Sequence, residues 1–189
     1  MSRTLRTAAI AVLALMVGAL FSASASANTP VNITPGGAIT ATFATNGIIF
    51  DAGIAQANCP LTLTGTLLTS SVVLADGLLS VGNITGGTPT TPCNGLAIRL
   101  LLSASNPWLI SLVSLNADGR ANVRILNVQV SSSIFGITCL FSGNVNATIN
   151  GGSITNPSGT LSPVSGPCGD ATVGGNGGTL SPSQTITRA

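Results

Sequence analysis

The chain has 189 residues, of which 44% are hydrophobic, 3% aromatic and 5% charged, with a formal net charge of +2. It contains no His, and beyond residue 27 it also lacks Glu, Lys and Tyr. The side chains that usually transfer protons, hold metals or activate nucleophiles near neutral pH are therefore missing, which argues against an enzyme and calls for no cofactor or metal.

The N-terminus reads as a secretory signal. Arg3 and Arg6 precede an apolar stretch over residues 8–20, and Ala25-Ser26-Ala27 offers a small-residue cleavage site. The apolar run falls short of the roughly 18 residues a membrane span needs. Residues 1–27 are thus expected to leave, and 28–189 to fold as one secreted, all-β domain, released or retained at the cell surface. In that mature product Arg99, Arg120, Arg124 and Arg188 balance Asp51, Asp76, Asp118 and Asp170. A neutral surface offers nothing to steer nucleic acid or anionic lipid, so neither is an expected partner. Membrane insertion of the mature chain is not expected either, because an outer-membrane barrel needs aromatic girdles that one Trp and a few Phe cannot supply.

Along the chain, apolar residues alternate with Thr, Ser and Asn at 38–43, 61–64, 121–130 and 145–149, the pattern of strands with one buried face. Asn46-Gly47, Asp76-Gly77, Asp118-Gly119 and Asn150-Gly151 mark tight turns between them. Residues 96–102 form the most apolar mature run and predict a central strand, with Arg99 turned to solvent or to a sheet edge. The Gly-rich segments 166–169 and 174–178 predict a loop and an irregular last hairpin. No stretch has a sustained helical period with caps. The expected fold is a single disulfide-stapled antiparallel β-sandwich, with an open β-barrel as the alternative.

Four cysteines in an exported chain predict two disulfides, for which three connectivities exist. Cys59 and Cys139 stand in strand-like Thr/Ser segments, whereas Cys93 and Cys168 each follow Pro in a loop. This half-repeat favours sequential pairing, Cys59 with Cys93 and Cys139 with Cys168. A zinc site is disfavoured because the short C-x-x-C spacing is absent and export favours oxidation. Asp51, Asp76, Asp118 and Asp170 each have a turn or strand-end reading, and a glycosidase would need two of them in one cleft. The serines have no His or Lys to activate them. Trp108, in Asn106-Pro107-Trp108, is the one candidate ligand contact: exposed, it would stack on a sugar or another flat surface, whereas Leu109, Ile110 and Leu112 after it favour a core plug. Asn32, Asn83 and Asn146 open Asn-x-Thr triplets, which chance supplies in so Asn/Thr-rich a chain.

Several segments resemble the secreted alkane-oxidation-activator (PraB-like) family. They are Cys59 leading into Thr62-Leu63-Thr64-Gly65, Gly86-Gly87 through Cys93-Asn94-Gly95, Pro107-Trp108, the strand from Val123 to Val128, Gly136-Ile137-Thr138-Cys139, and Cys168 before Leu180-Ser181-Pro182. Asn106 departs from the Leu that usually precedes Pro-Trp in that family. The resemblance implies a small exported β protein of the bacterial surface or biofilm matrix, with no catalytic residues to carry over.

The functional expectation is a non-enzymatic structural or adhesive protein of the cell surface or biofilm matrix. It would self-associate through sheet edges that almost no charge guards, with a surface or matrix polymer as a further partner. The alternative is an extracellular binding module for a carbohydrate or an apolar small molecule. An exposed Trp108 beside polar groups, or an apolar cavity, would favour that alternative.

Overall fold

The computed structural model describes residues 30–189 apart from 54, 59, 70–71, 74–78, 90–92, 94–96 and 135. The predicted signal segment, Cys59 and the Asp76-Gly77 turn lie outside the described residues. No helix occurs among those described. The strands are β1 (Pro30–Thr34), β2 (Gly37–Phe43), β3 (Ile49–Asp51), β4 (Gln56–Asn58), β5 (Leu61–Leu67), β6 (Val72–Val73), β7 (Leu79–Pro89), β8 (Ala97–Leu100), β9 (Trp108–Leu115), β10 (Ala121–Ile134), β11 (Ile137–Ser165), β12 (Ala171–Gly174) and β13 (Gly178–Arg188).

Antiparallel pairing runs from β2 to β5, β7, β9, β10 and β11 in turn. β13 then joins both ends of that series, pairing Leu180 with Ala41 of β2 and Ser153 of β11 with Thr179. The result is a closed barrel of seven numbered strands, with β11 counted once, not the expected sandwich. A sandwich would leave the outer strands of two sheets unpaired, whereas here one strand uses both of its edges to seal the ring.

Alternation decides which face lies inside. Ile39, Ala41 and Phe43 of β2, Leu61 and Leu63 of β5, and Val145, Ala147 and Ile149 of β11 face the lumen. The alternate positions carry Thr42, Thr64, Thr66 and Asn146, all exposed. The barrel is therefore apolar within and polar without. In β10 the inward series changes phase, from Val123 and Ile125 to Val128 and Val130, because a register shift falls between Ile125 and Val128. Asn127 takes the left-handed conformation there, at φ 60°. A bulge of this kind bends a strand and re-aims the side chains beyond it.

β11 reverses on itself near Gly151, which has φ +60°. Its two arms lie so close that a Cβ on Gly143 would sit 2.5 Å from the Thr160 carbonyl. The Cys139–Cys168 disulfide, across 29 residues with Cα atoms 6.3 Å apart, ties the open end of this reversal. β12 and β13 both pair with the second arm, Leu161 with Ala171 and Ile154 with Gly178. The Gly-rich segment between them is thus a break in a line of pairing and not the turn of a last hairpin. At Gly177, φ is +90° and an added Cβ would collide with the Ile154 carbonyl, so no other residue fits the closure.

The outer strands cover the barrel ends. β1 pairs with the C-terminal half of β13 and with β6, burying Val31, Ile33 and Ile186 at one end. The buried Gln184 accepts from Gly36 N at 3.0 Å and donates to the Pro182 carbonyl at 3.0 Å, fixing the corner after β1 to β13. At the opposite end, where β2 and β7 finish and β5 and β9 begin, the β3–β4 hairpin is held to β12 and β8 is held to β10. There Phe50 of β3 meets Phe141 edge to face at 5.3 Å.

The run at 96–102 does not make a central strand. β8 pairs with β10 alone, Ile98 and Leu100 turn inward, and Arg99 is exposed. Its apolar character reflects a one-sided flap pressed against the barrel mouth, a role that hydrophobic content alone does not separate from a central strand.

Candidate functional site: the apolar lumen

Inside the barrel lies a cavity of about 150 Å³. Its wall is built from the inward faces of all seven ring strands, including Ala41, Leu63, Ile84, Trp108, Ile110, Val130, Ile149 and Leu180. Phe50, Ala57, Ile98 and Leu100 complete it from the flaps at one end. The void follows from residue size. Barrels of about eight strands are just wide enough to be filled by side chains or to hold one small ligand. Here Ala41, Ala57, Ala147 and Gly65 occupy wall positions, and the ring strands supply two aromatic wall residues, Phe43 and Trp108.

The half-buried wall residues Leu61, Leu63, Pro89, Ile98 and Leu100 mark the end where the lumen meets solvent. The segment after β8 folds over this mouth. A Cβ on Gly87 would stand 2.6 Å from Leu100 Cδ1 and 2.8 Å from Leu63 Cδ2, so the absence of a side chain at Gly87 lets the flap close on β5 and β7. Leu101 N donates to the Gln129 carbonyl at 3.0 Å, and the Leu101 carbonyl accepts from Trp108 Nε1 at 3.3 Å. A tight turn follows, in which Ser103 and Asn106 exchange main-chain hydrogen bonds of 3.2 Å.

Trp108 is 4% exposed. The core-plug reading is therefore right about burial, yet the indole also forms part of the cavity wall, which the plug reading did not foresee. Its polar edge is spent on Leu101 and its apolar face is left to the lumen. Stacking on an exposed sugar is not what this geometry offers.

The cysteines act as staples. Cys139–Cys168 has the sequential pairing expected. Cys93 is fully buried and disulfide-bonded, while Cys59 lies outside the described residues. None of the described residues forms a group of His, Cys, Asp or Glu able to hold a metal.

The described carboxylates stand away from the lumen. Asp51 ends β3 and accepts from Gly53 N at 2.8 Å. Asp118 lies in the β9–β10 turn, where Gly119 has φ +81°. It pairs with Arg120 at 2.5 Å, and the Arg120 hydrogen bond holds the Asp118 carboxyl below its ordinary value and the guanidinium above its own. Asp170 is exposed ahead of β12. None of Asp51, Asp118 and Asp170 lines the lumen or the hollow on the outside of the barrel.

A second hollow, of about 310 Å³, lies on the outer face of β9, β10 and β11. Its polar groups largely satisfy one another: Arg124 Nε donates to Asn146 Oδ1 at 2.9 Å, Thr148 Oγ1 to Asn122 Oδ1 at 2.9 Å, and Asn122 Nδ2 to Ser114 Oγ at 2.8 Å. It is a polar ladder on an open sheet face, with no aromatic residue in its lining.

Fold and site together define a closed antiparallel β-barrel with a polar exterior and an apolar internal cavity. No protein-family model, curated protein or solved structure matches the chain.

Proposed function

We propose that this protein is a secreted, non-enzymatic binding module that holds a small apolar molecule in the lumen of its barrel. The observation that carries the reading is the cavity of about 150 Å³ with a wall of aliphatic and aromatic side chains. Apolar pockets that are preformed and enclosed on most sides are the usual form of small-molecule sites, whether in barrel mouths or elsewhere. Export agrees with the N-terminal signal pattern and with the disulfides, which persist in oxidising compartments. A membrane barrel would show the inverse arrangement, apolar outside and polar within.

A structural or adhesive role at the cell surface or in a biofilm matrix is the second reading. The absence of net charge on the mature chain favours it, as do the exposed Leu68, Val113, Ile137 and Val164. The unguarded edges that motivated it are short: β4 has 3 residues, β6 has 2 and β8 has 4. Very short edge strands are poor templates for pairing with another chain. Ligand binding in the lumen is therefore the better supported of the two.

Cyclohexane, which does not absorb at the wavelengths that excite indole, is the probe for the primary reading. Titrated into the oxidised protein, it should give a saturable change in Trp108 emission together with a rise in melting temperature. An emission and a melting temperature that ignore cyclohexane up to its solubility would refute binding. Size-exclusion with light scattering addresses the second reading: a monomer at all concentrations is expected, and ordered oligomers would revive self-association.

A further inference from the structure

We infer that the lumen selects an unfunctionalised hydrocarbon of about benzene or toluene size and discriminates against a ligand of the same shape carrying a hydroxyl. The inference rests on the reading of the lumen as a binding site and adds the chemical class of its occupant. Size comes from the cavity volume, about 150 Å³. Cavities of about that volume lined by Leu, Ile and Phe stay dry and take up benzene or xenon.

Class comes from the side-chain polar atoms around the cavity, which are engaged elsewhere or turned away. Trp108 Nε1, the polar side-chain atom on the inner face of the ring, already donates to the Leu101 carbonyl at 3.3 Å. Thr64 is the single hydroxyl residue in the wall, and it is exposed, with its Oγ1 on the Gly86 side of the β5–β7 pair. Arg99 lies between the wall residues Ile98 and Leu100 but points outward. Main-chain groups of the ring strands are engaged in the antiparallel ladders outside the irregularities at Thr64–Gly65 and between Ile125 and Val128.

Ser132 is the one buried hydroxyl among the described residues without a hydrogen-bond partner. It continues the inward series of Val128 and Val130, but Cys139 and Ile98 stand opposite it in the sheet and it does not reach the wall. A hydroxyl brought into the lumen would thus give up its hydrogen bonds to water and gain none. Penalties of this kind correspond to roughly tenfold to hundredfold weaker binding.

Toluene and phenol make the test, because they differ by a methyl against a hydroxyl at nearly constant shape. Each is titrated by calorimetry into the oxidised protein and into Ser132→Ala. Expected is a toluene affinity at least about tenfold above that of phenol, with the ratio unchanged in Ser132→Ala. Equal affinities, tighter binding of phenol, or a phenol affinity that falls in Ser132→Ala would overturn the inference while leaving the lumen a binding site. Binding of neither probe would overturn the underlying reading and the inference with it.

Discussion

Filling the lumen from its own wall separates a genuine void from a loosely drawn one. Ala41 on β2 is 7% exposed, faces the cavity, and has Leu63 and Leu180 as its cross-strand neighbours. Ala41→Leu adds three carbons, each worth about 0.8 kcal/mol when buried. Fixing the Leu rotamer costs about 0.5–1 kcal/mol. The net expectation is a gain of about 1.5–2 kcal/mol, which for a domain of this size raises the melting temperature by roughly 3–8 °C. In a filled core the same substitution would overpack and cost about 1–3 kcal/mol, so the two cases differ in sign. The variant should also lose the stabilisation that an apolar ligand gives, which is about 2.7 kcal/mol at a hundred times its dissociation constant. The assay is urea unfolding with and without saturating cyclohexane. A loss of more than about 1 kcal/mol, or a stabilised variant that responds to cyclohexane as the parent does, would refute the reasoning.

Removing the staple in Cys139→Ser with Cys168→Ser should cost about 3.6 kcal/mol by chain entropy for a 29-residue separation, measured as a shift of the denaturant midpoint; no shift would mean that the second arm of β11 is held without it. Ser132→Ala removes the partnerless buried hydroxyl and should leave stability unchanged or raise it by up to about 1 kcal/mol, whereas a loss above that would show that the hydroxyl is bonded. Asp118 is held low and Arg120 high by their mutual hydrogen bond, so their contribution is present above the ordinary carboxylate value and below the ordinary guanidinium value, and fades as pH falls through the lowered Asp118 value. Both side chains are solvent-exposed. Stability should therefore be flat between about pH 5 and 9, and Asp118→Asn should lower that plateau slightly while leaving the low-pH end unchanged, an effect that about 1 M salt abolishes. A titration step near neutral pH would contradict this.

The strands at 38–43, 61–64, 121–130 and 145–149 were legible because period-two alternation between Ile, Val or Leu and Thr or Asn is a local signal. So was the β9–β10 turn at Asp118-Gly119. Closure was not legible, because it depends on β13 pairing with both β2 and β11, and no local pattern in Thr179 or Leu180 distinguishes one partner from two. The inward phase change at Asn127 has a counterpart in the sequence, where apolar residues move from odd positions (Val123, Ile125) to even ones (Val128, Val130) across the Ile125-Leu126 doublet, but a doublet alone does not tell a bulge from a strand with both faces covered. The cavity did leave a trace in the sequence. Ala41 and Ala147 fall on the inward phase of their own strands, where Val or Leu would fill the barrel, yet small residues at such positions reveal a void only once the ring is known to close. Trp108 shows the same limit. Its apolar neighbours predicted burial correctly, but a buried indole facing a filled core and one facing a lumen look alike in sequence.

The most direct measurement is a crystal structure of the oxidised protein under xenon pressure, since xenon occupies dry apolar cavities of about this volume. Xenon density inside the barrel between Trp108, Ala41 and Leu100 is the predicted result. A lumen that takes no xenon, collapsed or filled by ordered water, would contradict the account.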